Sequence, residues 1–230
     1  MSKKLITALA IALMMFAGAS QAAITDIAVN GDFETGDFTG WTQFPGSLGA
    51  AGQTIVAGNP GSAARLNEPN PAANIIKQAN LRPGEWTAGE QIEIKFQIRG
   101  SAAAGGVFFA EVFTELSGGG TSKSEILSGG PLFPNADPNV WTDYTFTTTV
   151  GPDSSGGMTL QLNAACGADA NCVSDYYVDN VIINADIEVT PPPPDTSGPA
   201  TSIPTTSQWA LITLTMLLGL VAFANRRRIF

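Results

Sequence analysis

The chain has 230 residues, contains no His and only two Cys, and carries a formal net charge of −9. The lack of His rules out Ser-His-Asp catalysis, Cys-His catalysis and His-ligated zinc, and two Cys cannot form a four-Cys metal site. Between residues 23 and 188, six basic and nineteen acidic side chains give a net charge of −13, which disfavours nucleic acid and suits neutral sugars or divalent cations better.

The first 22 residues have the organisation of a secretory signal peptide. Lys3 and Lys4 precede an apolar run over residues 5–17, and small residues, Ser20 and Ala22, stand at the −3 and −1 positions of a cleavage site. We therefore expect cleavage after Ala22 and export of the chain from Ala23 onward. About 165 residues remain before a proline-rich stretch, enough for one domain with a sizeable core.

The exported part has the pattern of β-strands throughout. The cleanest strand is 91–99, where Ile and Phe alternate with polar residues in period two, which predicts one buried and one solvated face. The other predicted strands cover residues 24–29, 53–57, 63–66, 74–78, 107–116, 140–150, 158–162 and 176–184. No stretch of this domain has a helical period, so the sequence predicts an all-β, antiparallel two-sheet sandwich, most simply a jelly roll.

Both cysteines, Cys166 and Cys172, lie in one short loop. In an exported domain two such residues are expected to form a disulfide, since the compartment is oxidising. A pair of free thiols that reads redox state is the alternative.

The segment 189–202 contains four consecutive prolines and is predicted to be an extended spacer. Residues 203–230 then combine a short proline-containing motif, a 16-residue uncharged run over 209–224, and a basic cluster. This layout is typical of one transmembrane helix whose basic end stays in the cytoplasm. The motif residues are Ile203, Pro204, Thr205, Ser207, Gln208 and Trp209, and the basic cluster is Arg226, Arg227 and Arg228.

This layout resembles the C-terminal sorting signals read by exosortases, in particular the Ile-Pro-Thr-Leu type. Thr206 and Ala210 depart from the pattern, which usually has Leu and Gly at these positions. The resemblance implies an inner-membrane precursor that a membrane-embedded cysteine transpeptidase processes. The processed protein would then pass to the cell surface or the extracellular matrix.

The domain resembles the jelly-roll carbohydrate-binding modules found beside xylanases and glucanases, a fold of the galactose-binding-like type. The resemblance rests on the Asn-Gly-Asp-Phe-Glu motif at 30–34, Gly40-Trp41, the aromatic residues of 141–146, and Tyr-Tyr-Val-Asp-Asn-Val at 176–181. It implies that the first and last strands pair. It also implies that Trp41 and Trp141 belong to the core.

The same resemblance implies a structural calcium near the junction of the first and last strands, held by Glu34 and Asp179 with backbone carbonyls. Asp32 is a possible third ligand. Calcium takes six to eight hard oxygen ligands and tolerates irregular loops, so the chemistry is reasonable. The alternative is that Glu34 and Asp179 only accept hydrogen bonds from backbone amides.

Sugar recognition needs aromatic faces and planar polar groups. The candidates are Trp86, expected to be exposed in a polar loop, with Gln97, Arg99, Glu111 and Gln161, which would line one groove if they shared a concave sheet. The favoured function is a non-catalytic polysaccharide-binding module at the cell surface or in the matrix. A structural or adhesive matrix protein without a sugar site is the alternative, and a carboxylate-based glycoside hydrolase is the weaker one, because no acid pair stands out.

Overall fold

The computed structural model describes residues 25–185, whose regular structure is antiparallel β-sheet apart from 3-10 turns at Gly49–Gly52 and Leu127–Gly129. No helix within residues 25–185 is long and apolar enough to cross a membrane. The predicted signal peptide, spacer, transmembrane helix and sorting motif lie outside the described residues. The strands are β1 (Thr25–Asp26), β2 (Thr42–Phe44), β3 (Gln53–Ala57), β4 (Ser62–Glu68), β5 (Ala72–Leu81), β6 (Gln91–Ala103), β7 (Gly106–Glu115), β8 (Thr121–Ile126), β9 (Thr142–Thr149), β10 (Gly157–Cys166) and β11 (Val173–Ala185).

The strands form two sheets. One has the order β3-β4-β11-β6-β9, with β1 beside the end of β11, and the other has the order β2-β5-β10-β7-β8. The predicted all-β, two-sheet antiparallel sandwich is therefore confirmed. Thr25 and Asp26 pair with Ala185 and Asn184, so the first and last described strands are neighbours, as the resemblance implied.

The core lies between the two sheets and follows the period-two pattern of the sequence. On β6, Ile92, Ile94, Phe96 and Ile98 are buried, while the polar residues between them point outward. On the opposing sheet, the alternate residues Met158, Leu160 and Leu162 of β10 are fully buried. Burying one such side chain contributes about 1.5–3 kcal/mol relative to leaving it exposed, so this central layer accounts for much of the stability.

All nine predicted strands are present, and the predicted bounds of β3 are those observed. Two strands, β2 and β8, were not predicted. Each lies at an edge of the five-stranded sheet, and neither shows apolar alternation in its sequence. Edge strands are often short and polar because one side of their backbone is unpaired, so pattern alone does not reveal them.

The cysteines form the predicted disulfide, with Cα atoms 5.8 Å apart and no free cysteine among the described residues. This covalent bond closes the loop that carries the chain from β10, in the centre of one sheet, to β11, in the centre of the other. It therefore joins the two sheets at one end of the sandwich.

Candidate functional site

The opening motif packs directly against the closing motif. The Gly31 carbonyl accepts a hydrogen bond of 2.9 Å from the Val181 backbone N–H. A Cβ atom at Gly31 would lie 1.9 Å from the Val181 carbonyl oxygen, so only glycine allows this approach. Phe33 stacks on Trp41 with ring centroids 5.3 Å apart, and both are buried, as expected for Trp41.

The carboxylates of Asp179 and Glu34 both hold the turn between β3 and β4, residues 58–61. Asp179 is fully buried, and its Oδ2 and Oδ1 atoms accept hydrogen bonds from the backbone N–H groups of Asn59 (2.5 Å) and Asn180 (2.6 Å). Glu34 Oε1 accepts one from the Ser62 N–H at 2.6 Å. Both carboxylates therefore accept hydrogen bonds from backbone amides, as expected if they bind no metal. The same contacts also bring two acidic side chains to one hairpin.

Burial raises the pKa of the Asp179 carboxyl, the two backbone hydrogen bonds lower it, and the nearby charges of Glu34 and Asp32 raise it again. The region therefore concentrates negative charge. Oxygen donors of this kind suit calcium, whose affinity for a site rises with the number of carboxylates that bind it. Within residues 25–185, however, no three acidic or Cys side chains converge closely enough to hold a metal by themselves. An ion bound here would need backbone carbonyl oxygens for much of its shell.

A second polar cluster lies on the outer face of the five-stranded sheet. Cross-strand pairing places Lys77 of β5, Gln161 of β10 and Glu111 of β7 in one row, which we call the polar row. Gln161 Nε2 donates a 2.7 Å hydrogen bond to Glu111 Oε2. Burial raises the pKa of the Glu111 carboxyl, while the charge of Lys77 lowers it.

Aromatic rings flank the polar row on both sides. The Lys77 ammonium lies 5.0 Å from the ring centroid of Phe44, which is 47% exposed, and 5.8 Å from that of Phe113. In the next row of the same face, Asn163 pairs with Phe109, and its buried Oδ1 atom has no hydrogen-bond partner among the described residues. This face therefore offers rings, a cation, a carboxylate and one unsatisfied acceptor within a few strands.

Gln97 and Arg99 lie on the outer face of the other sheet, so the predicted single groove with Glu111 and Gln161 is wrong. The Gln97 amide is already engaged: its Nε2 donates to Asp143 at 2.6 Å and its Oε1 accepts from Asn180 at 2.9 Å. The Arg99 guanidinium lies over the rings of Tyr177 and Trp141. Period two correctly separates inward from outward residues but does not say which sheet a strand joins.

Two predictions about tryptophans are also wrong. Trp86 is only 7% exposed, and its indole N–H donates to the Leu81 carbonyl at 2.9 Å, with the Arg82 guanidinium over the ring. Its loop folds back onto the core, so a polar sequence around an aromatic residue did not indicate exposure. Trp141, expected in the core, is only partly buried, because it precedes β9 on the outer side beside Arg99.

Lys77, Phe44 and Asn163 were not predicted as site residues. One available signal was the run from Val107 to Phe113, in which Phe109, Glu111 and Phe113 occupy the outward positions between buried residues. Two large aromatic side chains on a face predicted to be solvated indicate that something covers or uses that face.

Comparison with known proteins identifies the C-terminal signal. Residues 201–228 match the IPTL-CTERM motif, which confirms the exosortase sorting signal and indicates an exported, membrane-processed protein. A search of curated proteins finds no match to the chain.

Several solved structures are similar to the described domain. One is the enzymatically active domain of tailspike protein 4 from bacteriophage CBA120 (15% identity, TM-score 0.50), where the match covers 69% of this chain and about a fifth, 21%, of that one. Two are sugar-binding modules: the CBM22-1 xylan-binding domain from Paenibacillus barcinonensis (12% identity, TM-score 0.48, 73% and 97% covered), and a family 11 carbohydrate-binding module from Clostridium thermocellum in complex with a β-1,3-1,4-mixed-linked tetrasaccharide (17%, 0.46, 70% and 96%). At 15% identity the tailspike match indicates a common fold only, and nothing about function follows from it.

Proposed function

We propose that this protein is a non-catalytic polysaccharide-binding module and that its sugar site is the outer face of the five-stranded sheet. The observation that carries the proposal is the polar row of Lys77, Gln161 and Glu111 with phenylalanine rings beside it. Rings stack on the apolar CH patches of sugars, and planar amide and carboxylate groups pair with hydroxyls.

The unsatisfied Oδ1 of Asn163 supports the same proposal. A buried acceptor without a partner is costly, and a hydroxyl donated by a ligand or a water would relieve that cost. Gln161 uses one N–H on Glu111, which orients its amide and leaves its carbonyl oxygen for a sugar hydroxyl. These groups lie on strands, where neighbouring side chains restrict their rotamers.

The test is binding of insoluble and soluble polysaccharides by the purified chain, with xylan and mixed-linked β-glucan as first probes. Replacing Phe44 by Ala removes an exposed ring and should weaken binding about tenfold, without a change in melting temperature. The control is Val140→Ala, which trims an apolar side chain that is 43% exposed and lies just before β9 in the other sheet. Equal affinities for the two variants would contradict the proposed site. A wild-type chain that retains no polysaccharide would favour the structural or adhesive matrix role.

We also propose that calcium binds where Glu34, Asp179 and Asp32 approach the β3–β4 turn. Two observations support this site. The charges of Glu34 and Asp32 lie near the buried Asp179 carboxyl. Within residues 25–185, none of these three carboxylates forms an ion pair. Such an ion would stabilise the junction of the first and last strands. A melting temperature that depends on calcium is the expected consequence.

The sorting signal supports a third part of the proposal. After export, the precursor would remain in the inner membrane until an exosortase cleaves near Pro204 and Thr205. The sandwich and its proline-rich spacer would then reach the cell surface or the extracellular matrix, where polysaccharide is available.

A further inference from the structure

The outer face of the six-stranded sheet carries a row of planar side chains, opposite the proposed sugar site. Arg65 of β4, Tyr177 of β11 and Arg99 of β6 are cross-strand neighbours, and Trp141 lies just before β9. The Arg99 guanidinium carbon lies 4.0 Å from the Tyr177 ring centroid and 5.1 Å from that of Trp141, and that of Arg65 lies 5.6 Å from Tyr177. We call these four residues the arginine row.

Arg99 differs from the other basic residues of this face because its charge is not paired. Arg65 forms two 2.8 Å hydrogen bonds with Asp175, and Lys95 lies 2.7 Å from a Glu93 oxygen. Within residues 25–185, the Arg99 guanidinium makes no ion pair or hydrogen bond that matches these, and its contacts are the two aromatic rings. In a domain with a net charge of −13, an arginine without an ion-pair partner that is held by two rings is available to an acidic ligand.

Among the described residues neither nearby acid forms an ion pair with Arg99, and each has another hydrogen-bond partner. Asp175 holds Arg65, and Asp143 accepts the hydrogen bond from Gln97. The stacked guanidinium is thus fixed in position, while the described residues leave its in-plane N–H groups unused. Five donors in a rigid fork match a planar, bidentate acceptor, and a carboxylate has that geometry.

The surface next to Arg99 suits a sugar chain. Ser101 lies two residues beyond Arg99 on the same face of β6 and lines a depression of about 260 Å³ with Gly100, Asn135 and Phe133. Phe133 is 56% exposed. The small polar groups can pair with sugar hydroxyls, and the ring can stack on a sugar face.

We propose that the arginine row binds an acidic polysaccharide, with Arg99 pairing the carboxylate of a uronic acid residue. This site is separate from the one proposed for neutral polysaccharide on the five-stranded sheet, and either can fail without the other. The domain would then hold two kinds of polysaccharide on its two faces.

The experiment measures binding of the full chain, purified in a neutral detergent, to polygalacturonate in the presence of a chelator, which prevents calcium from bridging acidic polymer and acidic protein. Fully methyl-esterified polygalacturonate is the matched probe without charge, and poly-glutamate tests an acidic peptide. The variants are Arg99→Leu, Arg99→Lys and, as the control, Lys95→Met, which removes one positive charge that Glu93 already pairs.

Arg99→Leu should weaken binding of polygalacturonate about tenfold or more, since a charge-assisted pair is lost. Arg99→Lys should recover only part of it, because the charge is kept but the fork is lost. Lys95→Met should bind polygalacturonate as the wild type does, and melting temperatures should confirm that each variant is folded. Equal binding by wild type and Arg99→Leu would overturn the proposal. So would an equal loss in Lys95→Met, equal binding of the esterified polymer, or equal Arg99-dependent binding of poly-glutamate.

Discussion

The proposed calcium site makes opposite predictions for one variant in the presence and absence of the ion. Glu34→Gln keeps an oxygen that accepts the hydrogen bond from Ser62 but removes the charge. In chelator we expect this variant to melt at the same temperature as the wild type or higher, because the charge of Glu34 no longer opposes ionisation of Asp179. With calcium, the wild type should gain stability and Glu34→Gln should not.

The size of the gain is set by binding to the folded state alone. Calcium at 100 times its dissociation constant stabilises by about 2.7 kcal/mol, which for a domain of this size is roughly 5–10 °C in melting temperature. The shift should also widen as the pH rises. Because the pKa of Asp179 is raised in the folded state, its protonated form stabilises the fold at low pH, and this contribution is lost as the pH rises through the folded-state pKa. Calcium, in contrast, needs the ionised carboxylate, so its contribution grows over the same pH range.

The assay is a thermal melt followed by intrinsic tryptophan fluorescence, with and without calcium, at several pH values. Glu85→Gln is the matched control, because it also neutralises one acid, but on a side chain that is 63% exposed and paired with Arg82. It should respond to calcium as the wild type does. Wild-type melts that do not change with calcium, together with no metal found by elemental analysis, would refute the reasoning and leave Glu34 and Asp179 as acceptors for backbone amides only.

Three further predictions concern other parts of the chain. Burial raises the pKa of Glu111 and the charge of Lys77 lowers it, so carbon-detected NMR titration should place the Glu111 midpoint above the usual range of a glutamate. The midpoint should be higher still in Lys77→Met, and a lower midpoint in that variant would contradict the described contacts. Replacing Cys172 by Ser should cost about 2 kcal/mol of unfolding free energy, seen as a lower denaturation midpoint, since the disulfide closes a short loop with a sequence separation of 6; an unchanged midpoint would show that the bond contributes nothing. Pro204→Ala should block C-terminal processing, so the mass of the mature protein should retain the residues after position 204, whereas a wild-type mass that also retains them would show a plain membrane anchor.

The sequence alone determined those features that depend on local order along the chain. Alternation of Ile92, Ile94 and Phe96 with polar residues fixed which side of β6 is buried, because successive side chains of a strand point to opposite faces. Two cysteines six positions apart in an exported chain determined the disulfide. The sorting signal was equally local, since its motif, apolar run and arginine cluster are contiguous.

Only the tertiary structure decided which outward residues share a surface. Gln97 and Glu111 have the same period-two pattern, yet their strands joined different sheets, and they ended on opposite sides of the sandwich. Strand partners are chosen by contacts between segments far apart in sequence, such as β5 with β10, and no local pattern records that choice. The same reason explains the tryptophans: Trp86 is buried because its loop returns to Leu81, and Trp141 is partly exposed because Arg99 meets it across the sheet face.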